Sequence, residues 1–385
     1  MNWIKRHKAD IFLTITSIMI TLVALDVALF FTHYRGIISR WNYPQHYFTK
    51  DAELGFDIVP NFATSTHYFP DAAFPVWSNN IGCFDTDYAS ETPYIYMAGD
   101  SLTWGFVPFE DTWGKRMQDI LGVRTMKCGV TGGYGTRQEL IRTTRHLSQL
   151  PSTELIIVGY TQANDIDDDA NFPSTTIHDG YLVPNLAKGG MTEAQAEEKY
   201  ALFEKYCTLS DPSHPILQKA RCLLNNYSVL YNLAKKNIRG VLVSVFSEPA
   251  LVKLGIVAKM TPAIDAKSET GYQDHLKNVL GFKDLARREG AGLLFVLVPG
   301  ENDRLKSFMD KQGIAYLDLK PAFEEYSRTQ PLNWKIDGHW NIAGNHLAGL
   351  LVSRYLLEKD IIRVTDKASA LLDIQEELKK SFGSK

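Results

Sequence analysis

The sequence predicts an α/β protein: a three-layer α/β/α domain on about five parallel strands, preceded by one N-terminal transmembrane helix. Three observations carry this. Short runs rich in Ile, Val, Leu and Tyr alternate with amphipathic helical patterns between residues 93 and 358, which is the rhythm of a parallel sheet covered on both faces. An apolar run from Ile11 to Phe31 is long enough to cross a bilayer as a helix. The 385 residues are 45% hydrophobic and 22% charged, enough to bury a large core.

The N-terminal run reads as an uncleaved signal-anchor over residues 11–32. It exceeds the usual signal-peptide apolar region, and no small-x-small cleavage site ends it. Lys5, Arg6 and Lys8 favour a cytoplasmic N-terminus over residues 1–10, although Arg35 and Arg40 beyond the run weaken the contrast. The main domain is then expected outside the cytoplasm, on the periplasmic face of an inner membrane in a two-membrane cell. Asp26 lies in the outer third of the span. The simplest account is a carboxylate reaching toward the headgroups.

Residues 33–91 are aromatic, with Pro60, Pro70 and Pro75 breaking any long element. They read as a lead-in that packs on the domain, since a disordered tether carries fewer aromatics. The domain itself spans 92–362. Its first strand is Pro93–Ala98, where Gly99 turns the chain. Trp113, Met117, Ile120 and Leu121 recur at helical spacing until Gly122. A strand at Val123–Lys127 leads into the loop Gly129-Val-Thr-Gly132-Gly133-Tyr-Gly135 and a helix over Arg137–Leu150. Glu154–Tyr160 is the third strand, ending in Thr161-Gln-Ala-Asn164-Asp165. Residues 171–262 interrupt the rhythm with no strong buried strand and a helical stretch at Thr192–Tyr206, so they read as an insertion beside the site. The alternation resumes with a helix from about Lys267 to Glu289, a strand at Leu293–Val298, a further helix, and a short strand at Ala315–Asp318. Ile336–Asn341 then opens a helix over Ile342–Glu358. Residues 363–385 form a charged tail with helical apolar spacing.

A net charge of −3 supplies no electrostatic footprint for nucleic acid. The ten histidines show no paired ligand spacing, so no structural zinc is expected, nor any cofactor. Asp165, Asp167, Asp168 and Asp169 do not fit an EF-hand calcium loop and read as a solvated acidic loop. Cys83, Cys128, Cys207 and Cys222 are too scattered for a C-x-x-C pair and allow up to two disulfides outside the cytoplasm. Cys207 and Cys222 are close enough to pair within the insertion. Two buried thiols are the alternative.

Gly99-Asp100-Ser101-Leu102 puts a serine at the carboxyl end of a strand, where open α/β sheets place their ligands. A helix cap at Asp100-Ser101 would use the same residues. A serine hydroxyl needs a base to take its proton. His339 is the candidate, with Asp337 two residues before it to hold the ring tautomer. His346 is expected to pack on the final helix instead. Taken in order, the Gly-Asp-Ser-Leu block, the glycine loop, Asn164-Asp165, and Asp337 with His339 resemble the four blocks of the SGNH/GDSL hydrolase superfamily. The resemblance covers about residues 93–358, with the insertion unmatched. It implies a flavodoxin-like sheet and catalysis by Ser101, Asp337 and His339. It also implies an oxyanion hole made by the Ser101 N–H, the Gly132 N–H and the Asn164 side-chain amide. Gly133 is an alternative to Gly132, and an N-cap or Asx turn is an alternative role for Asn164. This D-x-H is one residue shorter than the family's common D-x-x-H, so either Asp337 or a backbone carbonyl holds the imidazole. Trp104 and Trp340 flank the serine and histidine, as a platform for acyl group or sugar or as core packing. The implied activity is ester hydrolysis on an acylated small molecule or glycan. Membrane-anchored members of the family further imply O-acyl, above all O-acetyl, groups of the cell envelope. An O-acetyltransferase and a silent scaffold of the same fold are the rival readings.

Overall fold

The computed structural model describes residues 7–38, 42–88, 94–150, 152–161, 164–185, 192, 194–195, 216–245, 269–301 and 303–383. In chain order, helix α1 (Lys8–Phe30) is followed by two strand pairs, β1 (Phe48–Asp51) with β2 (Gly55–Ile58) and β3 (Ser65–Phe69) with β4 (Ala72–Val76). Next come β5 (Tyr94–Gly99), the short helix α2 (Ser101–Trp104), α3 (Trp113–Leu121), β6 (Arg124–Lys127), α4 (Thr136–Leu147) and β7 (Thr153–Thr161). After α5 (Asp165–Ala170) the chain forms β8 (Thr175–His178), β9 (Tyr181–Pro184), α6 (Ile216–Tyr227) and α7 (Val229–Val245). The remainder is α8 (Glu269–Glu289), β10 (Gly292–Val298), α9 (Asp303–Gln312), β11 (Tyr316–Asp318), α10 (Lys320–Tyr326), α11 (Ile342–Glu358) and α12 (Lys367–Phe382). The helix expected at Thr192–Tyr206 and the Cys207–Cys222 pairing fall outside the described residues and side chains.

Two compact units result, one of residues 1–43, 67–73 and 193–260, the other of 44–66, 74–192 and 261–385. In the first, Ala9–Phe30 has a mean hydropathy of 2.2. Its 22 residues are long enough for a hydrocarbon core of about 30 Å. Phe12, Leu13 and Ile20 are each more than 60% exposed. The helix starts three residues before the apolar run does, because backbone hydrogen bonding continues into the polar flank.

The second unit holds an α/β sheet of five parallel strands in the order β6-β5-β7-β10-β11. From β5 the chain first adds β6 on one side and then β7 on the other. The carboxyl ends of β5 and β7 therefore flank a topological switch point, the place where such sheets open a crevice. Strand alternation sorts the core into two layers. Ile95, Met97, Ile157, Leu294 and Val296 pack with α3, α11 and α12. Tyr94, Tyr96, Ile156, Val158, Phe295 and Leu297 pack with α4 and α8.

The lead-in is tied to α4 by polar contacts. Arg145 pairs with Asp51 at 2.7 Å, Gln138 Nε2 donates to the Leu54 carbonyl at 2.6 Å, and Arg142 pairs with Asp57 at 2.7 Å. Arg142 also donates to the carbonyls of Gly82 and Cys128 at 2.7 and 2.6 Å. A disulfide joins Cys83 to Cys128, locking the lead-in to the end of β6. The insertion contains a hairpin that sequence patterning passed over. His178-Asp179-Gly180-Tyr181 pairs across a turn with positive φ at both central residues, 49° and 75°, and Asp-Gly is the composition such a turn selects.

Candidate active site

The turn that carries Ser101 follows from local rules. Asp100 caps α2, its Oδ1 accepting the Leu102 N–H at 3.0 Å, so Ser101 is the first helical residue. The cap and the functional position are therefore the same structure. Helix α2 sits tight on the sheet because Gly99 (φ 150°) and Gly159 carry no Cβ. A Cβ on either would lie 2.1 Å from Thr103 Oγ1. From the far side Lys127 of β6, almost wholly buried, donates its Nζ to the Trp104 carbonyl at 2.6 Å. Burial pulls its pKa down to about 7, opposed by the charge of Asp85.

His339, the candidate base, approaches from the loop before α11. Gly338 has φ 95°, a turn that brings the side chains of Asp337 and His339 to the same side. Asp337 Oδ1 contacts His339 Nδ1, and His339 Nε2 lies 2.9 Å from Ser101 Oγ. Asp337 itself thus meets the imidazole, one residue shorter spacing notwithstanding. The His339 ring stacks on Phe106, centroids 4.0 Å apart and 17° from parallel. Trp334 braces this stack, its indole N–H donating to the Phe106 carbonyl at 2.9 Å and its backbone N–H to the His339 carbonyl at 2.8 Å. Asn341 caps α11 through the Gly344 N–H at 3.0 Å, which fixes where the histidine loop ends.

A cavity of about 540 Å³ opens over these groups, lined by Asp100, Ser101, Asn164, Asp337 and His339. Its apolar wall includes Leu102, Val298, Pro299, Phe323, Leu332 and Trp340, with Glu324, Ser327 and Asn333 at polar positions. Trp340 stacks near Phe323 at 4.8 Å. Trp104 has no such place. It is fully buried among Tyr47, Phe84 and Phe106 and serves the core. Gly132 is not among the cavity's lining residues. It has φ 102°, Leu182 of β9 covers its Cβ position, and its carbonyl accepts from Thr175 Oγ1 at 2.8 Å.

Asn164, at the end of β7, does line the cavity, yet its amide donates to Asp168 Oδ2 at 2.8 Å and reaches Asp100 Oδ2 at 3.4 Å. Its Oδ1 is buried without a partner. The run after it is a short helix and not a loop, with Asp167 exposed. It forms α5, where Asp165 is wholly buried and accepts the Thr161 N–H at 2.9 Å. Asp169 accepts from the Arg137 N–H, Asn278 Nδ2 and the His275 ring at 2.8–2.9 Å. Beneath the site Glu139 of α4 is also buried, both carboxylate oxygens without partners. Burial first, then the charges of Asp100, Asp169 and Asp168, push Glu139 well above the usual carboxylate range. Burial and Glu139 do the same to Asp165. Asp168 rises to about 7, through burial and then Asp100. Asp100 is raised by burial and held back by the Leu102 N–H, the Thr161 hydroxyl and His339.

Patterning singled out Ser101, Asn164, Asp337 and His339, and the fold brings them to one cavity. It missed Phe106, Lys127 and Glu139, which a sequence shows only as an aromatic, a strand lysine and a helix glutamate. His346 lies one turn into α11 with Nε2 3.5 Å from Glu377 of α12, away from the cavity. Among the described residues, one group of three ligand-type side chains has converging donor atoms, Cys83, Cys128 and His146. Its two sulfurs are bonded to each other.

No family model matches this sequence, and no curated protein matches it. Solved structures similar to this chain include a member of the lipolytic G-D-S-L family from Veillonella parvula. Its TM-score is 0.31 at 11% identity, over 67% of this chain and 94% of that one. Another is a chain provisionally assigned as an acylhydrolase, from Bacteroides fragilis. It has a TM-score of 0.34 at 11% identity, over 71% of this chain and 92% of that one. At these scores the neighbours carry no weight for chemistry, and the residues must.

Proposed function

We propose that this chain is a membrane-anchored serine ester hydrolase of the SGNH/GDSL type, with its catalytic unit outside the cytoplasm. The observation that carries the chemistry is the 2.9 Å contact of His339 Nε2 with Ser101 Oγ, backed by Asp337 on the other ring nitrogen. Ser101 Oγ attacks the ester carbonyl carbon while its proton passes to His339 Nε2. Asp337 stabilises the imidazolium, which then protonates the departing alkoxide. Water attacks the acyl-Ser101 ester with His339 again as base, and the imidazolium returns that proton to Ser101 Oγ as the carboxylic acid leaves and ionises in solvent. The Ser101 N–H at the start of α2 and the Asn164 amide are the donors we assign to the oxyanion. The role of the Gly132 N–H rests on the family resemblance alone.

The substrate class we infer is an O-acyl ester of a polar alcohol, above all O-acetyl groups on envelope glycans. An apolar wall beside Glu324, Ser327 and Asn333 suits an acyl group joined to a hydroxyl-rich partner. The Cys83–Cys128 disulfide supports an oxidising compartment. The basic residues ahead of an apolar helix support an inside N-terminus.

The test is a Ser101→Ala variant assayed on aryl acetates and on acetylated glycans, with a fluorophosphonate probe in parallel. Activity and labelling should both vanish while the melting temperature stays nearly unchanged, since the hydroxyl is mainly catalytic. Turnover near the wild-type rate would remove Ser101 from the mechanism. Transfer of acetate to a sugar in preference to water would make the enzyme a transferase.

A further inference from the structure

Asp26 is the one acidic residue between Ile11 and Phe30. It does not simply reach for headgroups, because its Oδ1 accepts the backbone N–H of Leu230 at 2.8 Å. Leu230 is the second residue of α7, where a helix amide has no partner inside its own helix. In the apolar layer such a group must be satisfied by protein. Asp26, Leu29 and Phe30 are the partly covered residues at this end of α1, at i, i+3 and i+4 on a single stripe. Helix α7 therefore starts beside the anchor at the level of Asp26, four residues and about 6 Å inside the end of the apolar span.

The chain around that point has two kinds of surface. Ser228 and Val229 are buried. Just before them Leu224 and Tyr227, spaced i, i+3 on the last turn of α6, are 42% and 51% exposed. Beyond residue 31, Ile342 and Leu372 are the other large apolar side chains so exposed among the described residues. Farther along α7, Lys235 and Lys236 are exposed, and Lys235 Nζ donates to Asn225 Oδ1 at 2.8 Å. Apolar side chains at the depth of the acyl boundary with ammonium groups beyond them are the arrangement of a helix lying in a bilayer interface.

We propose that α6 and α7 form an interfacial foot, in which Leu224 and Tyr227 enter the acyl boundary of the phospholipid leaflet beside α1 and Lys235 and Lys236 face the lipid phosphates. Asp26 is the clamp that holds the foot at that depth. The proposal rests on the reading of α1 as a membrane span, so its test reports on the two separately.

Nitroxide labels are placed one at a time in the full-length chain in phosphatidylglycerol-containing vesicles, through Ile20→Cys, Leu224→Cys, Tyr227→Cys and Lys236→Cys. Cys207→Ser and Cys222→Ser form the background. Collision with oxygen, which concentrates in lipid, is compared with collision with a water-soluble nickel chelate. Position 20 should read as deep lipid. Positions 224 and 227 should have an oxygen-to-nickel ratio about threefold or more above that of position 236. Asp26→Ala should move position 227 toward the aqueous value, and Asp26→Asn, which keeps an acceptor oxygen, should restore it. An aqueous reading at 224 and 227 with position 20 in lipid overturns the foot and leaves the anchor standing. Shelter from both reagents there means a protein neighbour and equally overturns it. An aqueous reading at position 20 removes the anchor, and the foot with it. A position 227 unmoved by Asp26→Ala removes the clamp.

Discussion

At the residue scale, the site depends on short spacings that one rotatable bond could spoil. Asp337 and His339 converge because Gly338 adopts φ 95° between them. Asn164 is the residue whose two roles, oxyanion donor and local turn, order its variants oppositely. A donor to charge that develops in the transition state predicts that Asn164→Ala lowers kcat and kcat/KM together, by about a hundredfold or more. Asn164→Asp should be worse, because it sets a third carboxylate beside Asp100 and Asp168, which now receive the amide at 3.4 and 2.8 Å. A turn role predicts instead that Asp, a good turn former, preserves the rate. Steady-state kinetics on both variants with a melting curve for each decides it, and a fully active Asn164→Asp enzyme excludes the oxyanion role.

At the element scale, the Ser101 turn is held from three sides: the Asp100 cap, the close glycines under Thr103, and Lys127 on the Trp104 carbonyl. The strand that carries Lys127 is itself stapled at its end, where Cys128 bonds Cys83 across 45 residues. Closing a loop of that length restricts the unfolded chain by about 4 kcal/mol in the entropy model. A Cys83→Ser/Cys128→Ser double variant should therefore unfold at a clearly lower urea concentration than the parent, and reductant should lower the parent's midpoint toward the variant's. Equal midpoints would show that Arg142, bridging Asp57, Gly82 and Cys128, holds the lead-in without the disulfide.

At the scale of the larger compact unit, several buried acids share one side of the sheet. Glu139 and Asp165 are raised well above the ordinary carboxylate range and Asp168 to about 7. Their burial comes first among the causes. The folded protein therefore keeps protons that the unfolded chain releases near pH 4. Between those values the native state binds more protons than the unfolded state, so stability falls as pH rises. For Asp168 the loss runs from about pH 4 to about pH 7, and Glu139 and Asp165 add to it with the same sign. The urea midpoint should drop between pH 5 and pH 8. Glu139→Gln, neutral at both, should flatten that drop and recover on the order of 1 kcal/mol or more at pH 8. A midpoint that rises over the interval would mean that these groups ionise freely.

Much of this was legible in the chain alone, for a local reason. Strand and helix periodicity, Gly99 after an apolar run, Asp-x-His before a helix, and a long N-terminal apolar stretch are short-range patterns, and backbone stereochemistry and burial act on them directly. They determined the parallel sheet, its crossovers and the four positions that meet at the cavity. What only tertiary structure decided are pairings across long separations. That Trp340 lines the cavity while Trp104 is buried among Tyr47, Phe84 and Phe106 depends on contacts made across the folded chain. Cys83 finds Cys128, and not Cys207 or Cys222, because the lead-in folds back over β6. The acids after Asn164 look like a solvated loop in one dimension, yet they form α5, where Asp167 is exposed while Asp165 is buried and Asp169 is held by Arg137 and by His275 and Asn278 of α8. Asp26 is ambiguous as a lone charge in an apolar helix. Its partner is a backbone amide 204 residues away, and no local pattern reports a contact that exists only once the chain has folded.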